Sequence, residues 1–334
     1  MTHARRRVVA FAVAPLLVVG LAACAQVEPE ALPTPTPTPT PTETVAAPAL
    51  PTSRVPATCD ELFTSNVVKG GTASPVADPV LTQAGYLGCI YDGMIGEKSA
   101  SLFVVVSVDP PADTVQNVYG RTGDLSFSDC ADDFSVCEAL FFSGPYAVGV
   151  SVYDSVADRA EIAPSFESFV AEIAERVSSW PPPEPAWQPP VDALSWSFDC
   201  EGAVVAQQDV VRDVVPFPFG DAFRAGSDAG YYNFWALDAT GSTQCVWSDN
   251  GASMSVEILP GGAWMYEAGI PLVGEPYPLD GALAAALDTQ NGSFQLEAYI
   301  DGSFVQVRID PPADSGVDGA VVARAVVTAM VTEF

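Results

Sequence analysis

Two stretches of the chain, Ser101 to Val108 and Ser253 to Leu259, carry the alternating apolar pattern of strands with a buried face. Each follows a shorter strand in which a Cys stands beside an aromatic, Gly88-Cys89-Ile90-Tyr91-Asp92 and Gln244-Cys245-Val246-Trp247-Ser248. A Gly-bearing turn separates the members of each pair, which predicts a hairpin in each half of the chain. Upstream, a Cys opens a helical pattern in both halves. Cys59-Asp60-Glu61-Leu62-Phe63 runs on to Val67-Val68, and Cys200-Glu201-Gly202-Ala203-Val204 runs on to Val210-Val211. Downstream, a helical stretch precedes a second hairpin, clearest where Ser293 to Ile300 and Ser303 to Ile309 flank Asp301-Gly302. That dipeptide supplies the positive φ angles of a type I′ turn. Each half closes on an amphipathic helix, with Phe166, Phe169, Val170, Ile173 and Val177 on one face in the first and Val322, Val326 and Met330 in the second.

The same order of elements thus occurs twice: helix, hairpin, helix, hairpin, helix. Such a unit builds a roughly four-stranded, mainly antiparallel sheet with helices on one face, so the expected class is α+β with two tandem similar domains. The near-identical pentapeptides Asp109-Pro110-Pro111-Ala112-Asp113 and Asp310-Pro311-Pro312-Ala313-Asp314 read as similar strand-to-helix junctions. Between the halves, residues 181–190 include six Pro, which cannot continue a helix or enter a sheet interior, and they read as a stiff linker. The expected domains are therefore 56–180 and 191–334.

Before residue 56 the pattern changes character. Arg5, Arg6 and Arg7 precede an apolar run from Val8 to Leu21 that is short for a membrane span, as in a secretory leader. The leader, residues 1–23, ends in Leu21-Ala22-Ala23-Cys24, which resembles the lipobox of bacterial lipoproteins. That resemblance implies a diacylated Cys24, palmitate-type chains in the outer leaflet, and a protein held on the outer face of the cell membrane. Residues 24–55, the acylated Cys and a Pro-Thr-rich stretch, form an extended spacer whose composition resembles surface lipoproteins of high-GC Gram-positive bacteria.

With Cys24 assigned to lipid, six Cys remain in an oxidising compartment. Fifteen pairings are open in principle, and equivalence between the halves selects Cys59 with Cys89 and Cys200 with Cys245, leaving Cys130 and Cys137 to close a local loop. The segments Cys59-Asp60-Glu61-Leu62-Phe63-Thr64, Cys89 to Tyr91 and Cys245 to Trp247 resemble the paired-Cys pattern of a domain-of-unknown-function family of secreted actinobacterial lipoproteins. They resemble more distantly the extracellular sensor domains of some bacterial serine/threonine kinases. The resemblance implies a fold and a location, and no reaction.

Charge and missing residues narrow the function. The leader removes three Arg, so the mature chain carries 10 basic and 42 acidic side chains, a net of −32. Nucleic acid is not an expected partner, because binding it relies on basic neutralisation of phosphates. His3, the only histidine, lies in the leader, so imidazole catalysis and His-ligated zinc are excluded from the mature chain. Lys69 and Lys98 lack the preceding Ser of a Ser-x-x-Lys arrangement, and no nucleotide or calcium loop occurs. No metal or cofactor is expected. The favoured reading is a non-catalytic surface lipoprotein that binds or senses an extracytoplasmic ligand, a cell-wall component or an envelope protein. Two alternatives are a carboxylate-dependent cell-wall glycan hydrolase and a purely structural envelope protein. The candidate binding residues are the aromatics Tyr231, Tyr232, Phe234 and Trp235, on a long connection, residues 213–241, that would suit a binding rim or cover a sheet face.

Overall fold

The structure is a computed structural model that describes residues 50–110, 127–130, 137–153, 159–189, 200, 214–216, 223–224, 232–249, 251–313 and 315–333. Cys24, the leader, most of the spacer and Tyr231 lie outside these residues.

In the first half, strands β1 (Val68–Pro75), β2 (Leu87–Ile95), β3 (Lys98–Val108), β4 (Phe127–Asp129), β5 (Cys137–Ser143) and β6 (Tyr146–Tyr153) form one antiparallel sheet in the order β1-β2-β3-β6-β5-β4. In the second, β7 (Phe223–Arg224), β8 (Thr243–Asp249), β9 (Ala252–Leu259), β10 (Glu275–Pro276), β11 (Ala282–Gln290), β12 (Ser293–Ile300) and β13 (Ser303–Asp310) form another, in the order β10-β11-β12-β13-β9-β8-β7. The fold is α+β with two sheet-bearing domains. Each predicted pair of hairpins occupies the centre of its sheet, and the strand order is the same in both: β2-β3-β6-β5 matches β8-β9-β13-β12. Edge strands extend these cores, β1 matching β7 and β4 matching β11, with β10 as an extra strand.

The helices are α1 (Cys59–Leu62), α2 (Pro79–Ala84), α3 (Arg159–Ser178), α4 (Tyr232–Thr240), α5 (Trp264–Glu267) and α6 (Gly319–Glu333). The amphipathic closing helices α3 and α6 cover one face of their sheets. Phe166, Phe169, Ile173 and Val177 are buried, as are Val322, Val326 and Met330. Phe169 stacks on Phe63, which stacks on Tyr91 of β2, at centroid distances of 5.8 and 5.0 Å. Three disulfides join Cys59 to Cys89, Cys130 to Cys137 and Cys200 to Cys245, the pairs that follow from repeat equivalence.

Several boundaries differ from the sequence reading. The opening helix does not run on to Val68. A capping box between Thr58 and Glu61 starts α1, and Phe63 ends it after four residues. The α1 carbonyls are then met by Arg176 of α3, whose guanidinium donates to the carbonyls of Glu61, Leu62 and Thr64. Val67-Val68 instead leads into β1. The residue range assigned to the spacer also reaches into the folded body, since Pro51 and Val55 are buried and the Arg54 amide donates to the Gly85 carbonyl at 2.9 Å.

Residues 181–189 have no regular secondary structure, yet they do not hang free between the domains. The Pro181 carbonyl accepts from the Tyr146 hydroxyl at 2.7 Å, and that of Glu184 from Arg54 Nε at 2.7 Å. Pro189 packs so closely on Gly261 that a Cβ there would lie 2.5 Å from it. The two domains meet directly as well. Helices α2 and α4, which precede the equivalent strands β2 and β8, pack against each other. Buried Gln83 of α2 donates from Nε2 to the Pro260 carbonyl at 2.7 Å and accepts from Trp264 Nε1 at 2.9 Å. Residues 47–334 form one compact unit by contacts. Replacing Gln83 by Ala orphans the Pro260 carbonyl and the Trp264 N–H, and is expected to cost about 2–4 kcal/mol. Urea unfolding of the variant beside the wild type measures it.

Candidate functional site

Strand parity sets what each sheet turns toward the other domain. In the second sheet, Cys245, Val256, Val307 and Leu296 face α6 and are buried in its core. Their neighbours in sequence therefore face the opposite side. Register brings four of these into one row: Gln244 of β8 opposes Glu257 of β9, Glu257 opposes Gln306 of β13, and Gln306 opposes Glu297 of β12. The row is alternately amide and carboxylate.

This row borders a cavity of about 660 Å³ between the domains, a volume within the range of small-molecule sites. The first domain contributes Val76 to Val80, the approach to α2 and its first turn. Asp78 is the N-cap of that helix, its Oδ1 accepting from the amides of Val80 at 2.8 Å and Leu81 at 3.2 Å. Pro79 follows at the first helical position, where its missing N–H costs nothing. Phe304 and Tyr299 lie in the next row of the sheet, and Leu237 of α4 and Met265 of α5 add apolar wall. The segment Ile270 to Val273 borders the opening.

That segment is held across the sheet by two hydrogen bonds. The Val273 amide donates to Glu297 Oε2 at 2.7 Å, and the Tyr299 hydroxyl donates to the Ile270 carbonyl at 3.1 Å. Burial, and secondarily the charge of Glu297, pushes the Tyr299 hydroxyl up to about 12, so it remains a donor. Gly274 makes the turn into β10 with φ of 107°, and any Cβ there would strike the Leu287 backbone at 2.4 Å, so only Gly fits.

The two carboxylates of the row are placed differently. Glu297 is 5% exposed and well bonded, accepting at Oε1 from Gln295 Nε2 at 2.8 Å and Gln306 Nε2 at 3.0 Å besides the Val273 amide at Oε2. Glu257 lies deep in the molecule, and it receives among the described residues only a long 3.4 Å bond from Gln244 Nε2 to Oε2. Burial, followed by the charges of Asp78 and Glu297, raises its carboxyl from 4.5 to about 7. Glu257 is nonetheless half-buried by exposed area, which fits a side chain that is deep but borders a cavity. No Lys, Arg or His borders the cavity among the described residues.

The first domain supplies an internal comparison. Aligning Cys89 with Cys245 places Gly88, Val105, Gly149 and Leu140 in one row, at the positions of Gln244, Glu257, Gln306 and Glu297. There the same sheet face has no carboxylate in the row, and α4 packs against β3. Trp235 of α4 is fully buried, its ring 6.2 Å from that of Phe142. The fold therefore does not require the polar row, because an apolar and Gly row serves the same sheet.

Of the four aromatic binding candidates, only Trp235 has a described side chain. Trp235 packs inside the domain interface and meets no solvent, so it is not part of a binding rim. The described helical part of that connection, α4, packs against α2 and against β3 of the first sheet. Tyr232 and Phe234 lie in the first turn of α4, with side chains outside the described residues, as is Tyr231 altogether. Of the disulfide Cys, Cys245 follows Gln244 directly on β8 and faces the opposite side of the sheet, while Cys59, Cys89, Cys130 and Cys137 belong to the first domain. Gln244, Glu257, Gln306 and Glu297 were missed because single polar residues alternating with apolar ones are also how a solvent-facing sheet reads. No group of three or more metal-ligating side chains occurs among the described residues, and no helix there is long and apolar enough to cross a membrane. Comparison with family models, curated proteins and solved structures finds no match to this chain.

Proposed function

We propose that this chain is an extracytoplasmic lipoprotein, anchored through Cys24, whose second domain binds a small ligand in the cavity between the two sheets. The observation that carries the reading is the contrast between equivalent sheet faces: one bears the row Gly88, Val105, Gly149 and Leu140, and the other bears four hydrogen-bonding side chains beside a cavity. Polar groups in a buried site cost stability unless something satisfies them, and the fold has an apolar solution that the second domain does not use. The three disulfides agree with an oxidising compartment outside the cytoplasm. The duplicated paired-Cys plan suits a sensor or binding module of the kind the resemblance implies.

Two acids of unlike surroundings in one cavity also favour a second reading, the glycan hydrolase, in which Glu257 with its raised pKa would act as general acid. A thermal-shift screen of cell-wall fragments and small metabolites on the mature chain, combined with turnover assays, separates the readings. Ligands are expected to raise Tm without being consumed, and Gln306→Trp, which fills the cavity, is expected to abolish the rise. Turnover lost on Glu257→Gln would replace binding with hydrolysis. In cells, Cys24→Ala is expected to move the protein from the membrane fraction to the medium or leave it unprocessed. A correctly processed variant that still partitions into detergent would contradict the anchor.

A further inference from the structure

Resting on the reading of the cavity as a ligand site, we infer that its ligand is an organic ammonium with an apolar body, and that binding drives the proton off Glu257.

The chemistry of the walls sets the class. Every charged side chain that borders the cavity among the described residues is acidic: Asp78 from α2, Glu257 from β9 and Glu297 from β12. An anionic ligand would meet three carboxyls and no cation. A neutral polar ligand could hydrogen-bond to the row, but it would leave the negative charge of three acids in one cavity unbalanced. The wall elsewhere is hydrocarbon, from Val80, Leu237, Met265 and Phe304 among others, and Ile270 and Val273 at the opening are 41% and 51% exposed. An all-polar cation such as a hydrated metal ion would leave that surface unmatched, and the described residues hold no metal-ligating group of three. A ligand with one cationic head and an apolar remainder matches both parts.

Glu257 is the group placed to take the head. One of its carboxylate oxygens has no hydrogen-bond donor among the described residues, and the other has only the 3.4 Å contact from Gln244. Glu297 has three donors already, and Asp78 is engaged at the start of α2. With its carboxyl held near 7, Glu257 carries a proton in a mildly acidic medium. An arriving ammonium keeps its own protons and favours the carboxylate, so the Glu257 proton leaves to buffer. The groups facing Glu257 are Asp78, Glu297, Gln244 and Gln306, with Tyr299 neutral. None of them supplies a competing positive charge.

Three isosteric probes test the inference on the mature protein: 4-phenylbutylammonium, 4-phenylbutanol and 4-phenylbutanoate, each titrated calorimetrically at pH 5, 6, 7 and 8. The ammonium is expected to bind best. Its affinity should rise about tenfold per pH unit below 7 and level off above, by linkage to one proton. Calorimetry in two buffers of different ionisation enthalpy should show close to one proton released at pH 5 and almost none at pH 8. Glu257→Gln should remove both the pH slope and the proton release, and a Tm at pH 5 no lower than that of the wild type would establish that it folds. Preferential binding of the alcohol or the carboxylate would overturn the ammonium inference while leaving the cavity as a ligand site. Binding of the ammonium with no proton release at pH 5 would overturn the role of Glu257. Failure of all three probes to bind at millimolar concentration would remove the ligand-site reading with it.

Discussion

Trp235→Ala is expected to destabilise the protein by about 3–5 kcal/mol, the range for removing a fully buried Trp side chain when the surroundings cannot collapse into the gap. The side chain is 0% exposed and sits on α4, which packs against α2 and β3 of the first domain, with its ring 6.2 Å from that of Phe142. Its loss removes the apolar seal that the first sheet uses where the second has a cavity. Denaturant unfolding of the variant at neutral pH measures the change. Val321→Ala, at a position 60% exposed on α6, serves as the comparison and should shift stability by no more than about 0.5 kcal/mol. A loss below 1 kcal/mol for Trp235→Ala would mean that the ring does not fill the domain interface.

The second large effect concerns Glu257 and depends on pH. Its carboxyl is raised from 4.5 in the unfolded chain to about 7 in the fold, so between those values the native protein holds a proton that the unfolded chain has released. Stability therefore falls as pH rises through this window. Below pH 4.5 both states are protonated and no penalty applies; above pH 7 both are ionised and the penalty is complete. At 1.36 kcal/mol per unit, the loss amounts to about 3 kcal/mol. Glu257→Gln removes the ionisation and keeps the shape. It should match the wild type near pH 4.5 and exceed it by about 3 kcal/mol at pH 8, measured as the difference between the two unfolding free energies. That difference cancels the contributions of the other acids, which both proteins share. A flat difference across the range would mean that Glu257 ionises as freely as in the unfolded chain.

Much of the architecture was legible because it rests on short-range signals. The Asp301-Gly302 turn forms as the sequence requires, with φ of 45° and 74° and with Ile300 opposite Ser303. The Cys pairs follow from equivalence between the two halves, and the apolar faces of α3 and α6 from helical spacing. Strand β11 was harder, since Ala282 to Leu287 is rich in helix formers. Its place in the sheet comes from pairing with β12, an instance of tertiary context overriding propensity. A local clue existed: Asn291-Gly292, with φ of 54° and 84°, makes the same kind of two-residue turn as Asp301-Gly302. Helix α2 had clues too, in Asp78 and Pro79 at its start and Gly85, with φ of 74°, at its end.

The candidate site was not legible, for a physical reason. Glu257 and Glu297 stand 40 residues apart and share a cavity only because β13, which pairs with both β9 and β12, lies between their strands. Nothing near either residue states which sheet face meets the other domain. The aromatic cluster was the louder signal, and in Trp235 it proved to be the seal of the opposite sheet. A comparison of the two halves, strand by strand, would have exposed the site, because Glu257 and Glu297 align with Val105 and Leu140 once the Cys residues are matched.

Glu257 is a carboxylate sunk between two related sheets, one closed and one open. The most direct measurement is a carbon-13 NMR titration of the Glu257 side-chain carboxyl in the ligand-free mature protein, assigned by its disappearance in Glu257→Gln. A midpoint close to 7 is the expected result. A midpoint near 4.5, the value for a carboxyl fully open to water, would contradict the account.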